Sequence, residues 1–359
     1  MKILILGGTG AMGVSLVNIL KTTNHDVYIT SRTDHKSEGN VHYIKTNAKD
    51  ESSIKEIIKE NYDVIIDFLI YDSATFKNRV NLFLSHTDQY FFFSSSRVYS
   101  NLETPITENT PRLLDSIEDK AYLKTDEYAL AKAREENILT ESGKSNWTII
   151  RPYITYNYNR LQLGVYEKEH WLCRALTDRK IVVPADILSK KTCFTYAEDV
   201  AQGIFLLVGN DKALGEKFHI VNEECKTWKD ILDIYLSIIE NLTGKRPEVL
   251  ELNDSTELLK VWGRYQILYD RLYDRVFDSS KIKSLAPNFL FTSISIGLDK
   301  CVRDYIANGK YKNSSNIMFD AWCDRMSGTF RIPALSNRGI KNQLRYIKYY
   351  FIHKNSFNS

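Results

Sequence analysis

The chain has 359 residues, of which 43% are apolar and 26% charged, a composition typical of a globular protein with a sizeable core. Its 48 basic and 45 acidic residues nearly balance, which argues against a nucleic-acid partner, because proteins that bind nucleic acid carry a basic domain or stripe. No apolar run is long enough for a signal peptide or a transmembrane segment, so we expect a cytoplasmic protein.

The first half of the chain alternates strand-like apolar runs with segments of helical periodicity. The predicted helices are Gly13–Lys21, Ser52–Glu60 and Thr125–Glu141. The predicted strands are Lys2–Leu6, Val27–Ser31, Val41–Lys45, Asp63–Ile70, Gln89–Ser94 and Trp147–Arg151. Because these strands are nearly continuous in Ile, Val, Leu and Phe, we expect an α/β fold, a doubly wound parallel Rossmann sheet covered by helices on both faces.

After Arg151 the elements become shorter and less regular. We expect helices at Glu198–Val208, Trp228–Asn241 and Ile294–Tyr305, and short strands at Ile181–Val183, Lys217–Val221 and Glu248–Leu252. The predicted organisation is a sheet domain over residues 1–155, with elements returning to it around 190–222. A smaller C-terminal α/β lobe for the substrate follows over residues 156–310.

A C-terminal extension over residues 311–359 contains a predicted basic amphipathic helix. Basic and apolar residues recur there on adjacent faces, namely Arg338, Lys341, Arg345 and Lys348 beside Ile340, Leu344, Ile347 and Phe351. The favoured interpretation is a terminal helix that packs on the domain and leaves its basic face in solvent. The alternative is a helix that contacts a membrane surface weakly or docks on a partner.

The five cysteines are widely spaced and odd in number, and none forms a CxxC pair. This spacing argues against a zinc site and against a disulfide framework. We therefore expect reduced structural cysteines and no bound metal.

Residues 7–13 read GGTGAMG, after a predicted strand and at the start of a predicted helix. A glycine at position 7 or 8 permits the tight turn, Gly10 lets the backbone approach a pyrophosphate, and Gly13 allows close packing of helix and sheet. The sequence therefore predicts a dinucleotide site. Its loop residues are Gly7, Thr9, Gly10, Ala11, Met12 and Gly13.

The end of the second strand indicates which dinucleotide binds. An acidic residue there would favour NAD by accepting hydrogen bonds from the ribose hydroxyls, but this chain has Ser31 and Arg32. Arg32 is able to pair with a 2′-phosphate, and Ser31 does not repel one. We expect NADP(H) to be favoured over NAD(H), the alternative being that Arg32 is a surface charge stacked on the adenine.

The pattern YxxxK occurs twice, at Tyr128–Lys132 and at Tyr350–Lys354. Only the first lies near the predicted cofactor loop, in a helix that follows the serine-rich strand end FFFSSSRVYS. A lysine one helical turn after a tyrosine faces the same way, and its charge favours the phenolate form that acts as a base. A serine hydroxyl would orient the alcohol or carbonyl of the substrate.

Seven segments together are similar to a known family. They are GGTGAMG, SSSRVYS, PITENTPR, YALAK, RPYITY, FTYAEDVA and GEKFHIV, in family order over about residues 1–235. The chain resembles extended short-chain dehydrogenase/reductases of the NAD-dependent epimerase/dehydratase family, which act mainly on nucleotide sugars. The resemblance implies that Tyr128 is the catalytic acid or base, that Lys132 binds the nicotinamide ribose, and that Ser95 is the catalytic hydroxyl.

The resemblance also implies further cofactor contacts. Asn47 stands where the family usually has an Asp that contacts adenine, and an Asn oxygen accepts the same hydrogen bond. Tyr153 and Ile154 match the loop beside the nicotinamide. Ala48, Phe68 and Leu69 complete the expected set.

Two departures from the family pattern bear on the reaction. Family dehydratases and decarboxylases carry carboxylates just after the catalytic hydroxyl, whereas this chain has Ser96 and Arg97, so dehydration and decarboxylation are disfavoured. We expect Ser96, Arg97 and Thr192 to contact the substrate. The family arginine that holds the nucleotide phosphate is replaced by Thr192. Arg271 or Arg275 would take over that role, unless both pair with neighbouring aspartates on a helix.

The leading hypothesis is an NAD(P)-dependent oxidoreductase or epimerase that acts on a nucleotide-linked sugar. One alternative is an NADPH-dependent keto-sugar reductase, which Arg32 favours. An alternative from another class is a non-catalytic cofactor-binding sensor or scaffold. The resemblance further implies a homodimer, formed through two helices of the sheet domain.

Overall fold

The computed structural model describes residues 1–308, 316–332 and 335–351, apart from the side chains of 335–338. The chain divides into two compact units. The first comprises residues 1–155, 193–223 and 276–292, and the second comprises residues 156–192, 224–275 and 293–359.

Seven parallel strands form the central sheet of the first unit. They are β1 (Lys2–Leu6), β2 (Asp26–Ser31), β3 (Val41–Lys45), β4 (Tyr62–Asp67), β5 (Thr87–Phe93), β6 (Trp147–Ile150) and β7 (Glu216–Phe218). Their order across the sheet is β7-β6-β5-β4-β1-β2-β3. The order reverses direction at β1, which confirms the predicted doubly wound Rossmann sheet and opens a crevice beyond the carboxyl ends of β1 and β4.

The sheet is buried on both faces, as its continuous apolar strands predict. In β1, Ile3 and Ile5 belong to one core cluster and Leu4 and Leu6 to another, and none of the four side chains is exposed to solvent. Successive side chains of a strand point to opposite faces, so this alternation requires helices on both sides.

Helices of the first unit supply the two covering layers. They are α1 (Ala11–Leu20), α2 (Glu51–Ile57), α3 (Ser73–Ser85), α4 (Tyr128–Thr140) and, from the returning segment, α6 (Ala197–Leu207). Helix α4 begins three residues later than the sequence predicts, because the Glu127 carboxylate accepts a hydrogen bond from the Ala129 amide at 2.9 Å and caps the helix there.

The segment Val276–Thr292 belongs to the first unit, whereas the sequence analysis assigned it to the lobe. Its backbone pairs with Ile106, which donates to the Val276 carbonyl at 2.8 Å and accepts from the Asp278 amide at 2.9 Å. Such long-range backbone pairing leaves no local pattern in the sequence.

The second unit contains helices α5 (Lys168–Ala175), α7 (Trp228–Thr243), α8 (Ile294–Ala307), α9 (Ile317–Met326) and α10 (Leu335–Phe351). A parallel pair of strands, Ile181–Pro184 and Val249–Leu252, completes its ordered core. Of the remaining short strands, Cys225–Thr227 lies in the second unit, whereas Ile154–Tyr156 and Lys191–Tyr196 include residues of both units.

Helix α10 is the C-terminal helix that the sequence predicts, interrupted at Gly339, where φ is +65°. It packs on α9 through Tyr346, which is fully buried and donates a hydrogen bond to Asp324 at 2.7 Å. Lys341, Arg345 and Lys348 face solvent. The predicted side-chain position of Arg338 and residues 352–359, with the second YxxxK lysine, lie outside the described residues.

All five cysteines are free thiols, and four of them are buried. Within the described ranges, no helix is both long enough and apolar enough to cross a bilayer. No group of three or more metal-binding side chains occurs there either.

Candidate active site

The glycine loop joins β1 to α1 and depends on glycine at specific positions. Gly7 has a φ of +73°, which only glycine adopts readily. A Cβ atom on Gly13 would lie 2.6 Å from the Gly8 carbonyl oxygen, so the first turn of α1 is packed directly on the loop backbone. At Gly10, by contrast, nothing would lie nearer than 3.9 Å. The loop therefore leaves open space at the position where a pyrophosphate would approach.

The amino terminus of α1 is suited to an anion. Gly10 caps the helix without a side-chain hydrogen bond, and its first turn contains no acidic residue. The positive end of the helix dipole is thus not offset by a carboxylate of its own turn. Thr9 is exposed, and Ala11 and Met12 are half-buried.

Ser31 is the last residue of β2 and is 6% exposed, with its hydroxyl 3.3 Å from that of Thr33. The side chain of Arg32 is exposed and makes no ion pair or hydrogen bond within the described part of the chain. The nearest carboxylate along the chain, Asp34, is paired with Lys45 at 2.5 Å. The guanidinium group of Arg32 is therefore available to a ligand.

The remaining expected cofactor contacts follow the ends of β3 and β4. Asn47 is exposed, and its side-chain oxygen accepts a hydrogen bond from the Lys49 amide at 3.2 Å. Ala48 is buried, at 6% exposure. Leu69 borders the glycine loop, since a Cβ on Gly7 would meet its Cδ2 at 3.0 Å, and Phe68 packs on Phe93 with ring centroids 4.3 Å apart.

The two residues expected beside the nicotinamide are both buried. Tyr153 is 7% exposed and packs against Phe277, with ring centroids 5.2 Å apart, and Ile154 is 3% exposed. Neither side chain is open to solvent.

The serine-rich end of β5 forms a short turn. Ser95 is 7% exposed, and its hydroxyl oxygen accepts a hydrogen bond from the Arg97 amide at 3.2 Å. Ser96 is fully buried and donates to the Arg151 carbonyl at 2.8 Å. That bond gives Ser96 a structural role in the wall of the site instead of the substrate contact that we expected.

Tyr128 is the first residue of α4, and its half-buried ring lies under a cation that the sequence analysis did not connect with it. The Arg97 guanidinium is 5.4 Å from the centre of the Tyr128 ring. Arg97 is held there by Glu127, at 2.6 Å, and Glu127 also accepts a hydrogen bond from the Tyr122 hydroxyl at 3.0 Å. Ser95, Arg97 and Tyr128 are thereby joined in one cluster.

Lys132 lies one turn further along α4 and is only 1% exposed. Its ammonium group donates to Glu135 at 2.8 Å and lies 4.7 Å from the centre of the Phe92 ring. The second carboxylate oxygen of Glu135 is buried without a hydrogen-bond partner among the described residues. Lys132 is therefore already paired with a carboxylate of its own helix.

A second buried carboxyl, Asp67, lies close to Lys132. It ends β4 in register with Leu6 of β1 and Phe92 of β5, so it lies at the meeting point of the glycine loop and the serine turn. It accepts hydrogen bonds from the Tyr71 hydroxyl at 3.0 Å and from the Tyr90 hydroxyl at 2.9 Å.

Burial is the largest influence on the pKa values of Asp67 and Glu135. Loss of hydration raises the pKa of Asp67 to about 6, against the lowering effect of its hydrogen bonds and of Lys132. Loss of hydration likewise raises the pKa of Glu135 to about 7, although Lys132 opposes it. Two carboxyl groups whose pKa values are raised by burial therefore lie near Lys132.

Sequence reasoning missed both carboxyls, although each left a signal. Glu135 lies three residues after Lys132 in a helix, a spacing that places the two side chains on one face. Asp67 is a charged residue at the end of the apolar run VIID, where a parallel sheet places its binding residues.

The three expected substrate residues of the second unit are buried. Thr192 is fully buried, and its hydroxyl has no hydrogen-bond partner in the part of the chain that the structure describes. Arg275 donates to Asp270 at 3.0 Å, and Arg271 pairs with the other oxygen of the same carboxylate. Arg271 and Arg275, with exposures of 2% and 0%, thus share one aspartate, as the charge-pairing alternative describes, although Arg275 lies beyond the end of the helix.

Together, the parallel sheet, the open glycine loop and the tyrosine and lysine of α4 define a dinucleotide-binding protein of the short-chain dehydrogenase/reductase class. The chain belongs to the NAD dependent epimerase/dehydratase family, whose model matches residues 3–222. The family resemblance found in the sequence is thereby confirmed.

Two curated relatives differ widely in what their names describe. The chain is 27% identical over 248 residues to the chloroplast stem-loop binding protein of 41 kDa b of Arabidopsis thaliana, a match that covers 63% of this chain and 60% of that protein. It is 23% identical over 242 residues to the 2'-dehydrokanamycin reductase of Streptomyces kanamyceticus, with 65% of each chain covered. The chain thus spans less than two thirds of the length of either relative.

Among solved structures, the UDP-glucuronic acid 4-epimerase of Bacillus cereus in complex with NAD is similar in fold. The superposition has a TM-score of 0.64 and covers 88% of this chain and 99% of that chain, at 16% sequence identity. At this identity the likeness establishes the fold alone.

Proposed function

We propose that the protein is an NAD(P)-dependent oxidoreductase or epimerase of a nucleotide-linked sugar, with Tyr128 as its acid or base. The observation that carries the proposal is the cluster at the carboxyl edge of the sheet. There Ser95 and Arg97 contact each other, Arg97 lies over Tyr128, and Lys132 follows one turn later on the same helix.

The chain has the features that a dinucleotide requires. Gly10 leaves room for the pyrophosphate at the uncapped start of α1, and Gly13 brings that helix close to the loop. Arg32 and Ser31 would receive the 2′-phosphate of NADP(H), because Arg32 is exposed and unpaired among the described residues and Asp34 is occupied by Lys45. We therefore propose that NADP(H) is preferred over NAD(H).

The residues of the chain would handle the proton of the reaction. A bound nicotinamide supplies the acceptor or donor of hydride. Tyr128 would take the proton from a sugar hydroxyl, or return it to a carbonyl, while Ser95 orients that oxygen. The Arg97 guanidinium, 5.4 Å from the centre of the Tyr128 ring, lies beside this acid or base. Lys132, beside Glu135 and near Asp67, would bind the nicotinamide ribose, as the family resemblance implies.

A keto-sugar reductase is the second candidate, and one specific observation favours it. An NADPH-binding enzyme draws on a reducing pool, and the exposed Arg32 would receive the 2′-phosphate that distinguishes NADPH from NADH. One curated relative carries the name of a reductase, whereas the solved neighbour carries the name of an epimerase. Both reactions need only hydride transfer and the tyrosine proton, so the arrangement of Ser95, Tyr128 and Lys132 suits either.

The identity of the cofactor separates these candidates. We would denature the purified protein and identify any released dinucleotide by chromatography, then measure NADPH and NADH binding by fluorescence. Retained NAD(H) would support an epimerase that recycles its cofactor in place and would contradict the role given to Arg32. An empty protein that prefers NADPH would support the reductase, and Arg32→Gln should then reduce that preference by about tenfold or more.

Replacement of the tyrosine tests the catalytic assignment. Tyr128→Phe should abolish interconversion or reduction across a panel of nucleotide sugars and keto-sugars while leaving dinucleotide binding intact. Tyr158→Phe, at a tyrosine that is 41% exposed in the second unit, is the matched control and should retain activity. If Tyr128→Phe retained full turnover, the assignment would be wrong. A protein that binds the dinucleotide but turns over no member of the panel would support the sensor or scaffold alternative.

A further inference from the structure

The charge of the chain is divided very unevenly along its length. The last 33 residues, 327–359, contain six lysines and arginines and no acidic residue. The preceding 326 residues therefore hold 42 of the 48 basic residues against all 45 acidic ones, an excess of three negative charges. The near-neutral total conceals a cationic C-terminal segment.

The described part of that segment is helix α10, which exposes an apolar stripe beyond its interruption at Gly339. Ile340, Leu344 and Phe351 recur at helical spacing, so their side chains share one face. They are 66%, 62% and 66% exposed, respectively. Isolated exposed apolar residues are ordinary, whereas a stripe of them on one helix face marks an interaction site.

A basic stripe runs beside the apolar one. Lys341 and Arg345 each follow an exposed apolar residue by one position, and Lys348 lies one turn after Arg345. All three are exposed. At about 100° per residue, the two stripes lie side by side on the solvent side of the helix.

Tyrosine packing determines the orientation of these stripes. Tyr346 is fully buried on the opposite side of α10, where its hydroxyl donates to Asp324 at 2.7 Å. Phe330 packs against Phe351 and Tyr350, with ring centroids 5.6 Å and 4.8 Å away, and remains 48% exposed. Phe330 therefore extends the apolar stripe, while the buried tyrosine keeps the stripe turned away from α9.

We propose that the apolar and basic stripes of α10 dock the protein on a membrane surface rich in anionic phospholipid. Helices that lie in the plane of a bilayer bury an apolar face at the level of the acyl chains and place lysine and arginine among the headgroups. Each basic side chain near an anionic surface contributes about 1 kcal/mol. The proposal is independent of the reaction that the first unit performs.

Two other occupants fit these stripes less well. A nucleic acid would attract the basic stripe but offers no apolar surface for Ile340, Leu344 and Phe351. A second copy of the chain would bring an equal positive charge against this one, which opposes association. Only an anionic bilayer matches both stripes together.

Vesicle sedimentation of the full-length protein tests the proposal. We expect binding to phosphatidylcholine vesicles that contain about 30% phosphatidylglycerol, weak or no binding to pure phosphatidylcholine, and a loss of binding as salt rises. Lys341→Gln with Arg345→Gln should weaken binding by about 25-fold, the equivalent of about 2 kcal/mol. Ile340→Gln with Leu344→Gln should weaken it by about tenfold or more.

Matched controls keep the result specific to the stripes. Leu290→Gln removes an apolar side chain that is 79% exposed, and Lys36→Gln removes an exposed positive charge, so both should bind vesicles like the unmodified protein. All variants should unfold at the same temperature, because none of these side chains is buried.

Three results would overturn the proposal. The first is equal binding to neutral and anionic vesicles, and the second is binding that survives Ile340→Gln with Leu344→Gln. The third is an absence of vesicle binding combined with salt-sensitive retention of a stem-loop RNA or concentration-dependent dimerisation, either of which would assign the stripes to another occupant.

Discussion

Glu135 and Glu136 are neighbours on α4, and both are buried, yet their carboxyl groups have opposite surroundings. Glu136 accepts hydrogen bonds from Arg151 at 2.6 Å and from Arg112 at 3.1 Å, so two cations share one carboxylate. Glu135 shares a single cation, Lys132, with the nearby Asp67. Burial acts on both, but the arginines hold the pKa of Glu136 below its usual value, whereas burial raises that of Glu135 to about 7.

The cluster around Glu136 therefore stabilises the fold, whereas the cluster around Glu135 is suited to chemistry. A buried carboxylate with two arginine partners is satisfied and has no reason to exchange a proton. A buried carboxylate that shares its cation with a second carboxyl group, and has one oxygen without a hydrogen bond, lowers the stability of the fold. Such groups concentrate at functional sites. On one helix, adjacent residues thus serve the stability of the first unit and its candidate active site.

The largest expected change in unfolding free energy comes from replacing Glu136. Glu136→Gln leaves Arg151, which is 1% exposed, without its carboxylate and should cost about 3–5 kcal/mol of unfolding free energy. Urea denaturation followed by circular dichroism measures it. Glu51→Gln, which breaks a pair with Lys55 on the surface of α2, is the control and should change the midpoint little. An unchanged midpoint for Glu136→Gln would remove the distinction between the clusters.

The Lys132 pair should respond differently when both members are removed. Lys132→Met alone leaves two buried carboxyls without a cation and should cost about 2–3 kcal/mol at pH 8. Lys132→Met combined with Glu135→Leu should recover most of that loss, because a packed apolar pair needs no hydration, yet it should not recover activity. Recovery of activity in the double variant would show that the charges are not needed for chemistry.

The pH dependence of stability should also distinguish the two glutamates. The pKa of Glu135 is raised on folding, so the native protein binds the extra proton, and stability falls as pH rises from about 4.5 to about 7. Glu135→Gln should reduce that fall by roughly 2–3 kcal/mol, measured as unfolding free energy at pH 5 and pH 8. Because the pKa of Asp67 is also raised, to about 6, this residue adds a second loss of stability with rising pH, at lower pH than that of Glu135. That loss should persist in Glu135→Gln.

The smallest effect is expected in the second unit, at Thr192. Its buried hydroxyl has no hydrogen-bond partner within the described ranges, so Thr192→Val should leave stability unchanged or raise it by about 0.5–1 kcal/mol. Thermal unfolding measures this change. If the hydroxyl instead contacts the substrate, as the family resemblance implies for this position, the variant should raise KM while stability stays unchanged.

Much of the fold and part of the candidate site were predictable from local patterns. The runs Lys2–Leu6 and Trp147–Arg151 read as buried parallel strands because their apolar residues are continuous, and both occur in the sheet. The start of α4 was placed too early because the Glu127 cap competes with an otherwise helical pattern. The sequence did not indicate that Ser96, Arg271 and Arg275, which we expected to contact the substrate, would be buried. Their burial depends on tertiary packing, which no short motif encodes.

Only some of the contacts that distinguish Glu135 from Glu136 could be predicted from the sequence. Lys132 and Glu135 lie within one helical turn, so their proximity was within reach of the sequence. Asp67, Arg97 and Arg151 come from different strands and loops, and only the folded sheet brings them to α4.

By itself, the sequence determined that this is a doubly wound dinucleotide-binding protein with a tyrosine and a lysine one turn apart. Strand continuity, glycine spacing and helical periodicity are properties of short segments. They do not depend on which distant segments pack against them. Only the tertiary structure decided which charges are satisfied, which residues lie beside Tyr128, and which face of the last helix remains exposed. Those outcomes depend on burial and on partners distant in the chain, since the energy of a charge is determined by its surroundings and not by its neighbours in sequence.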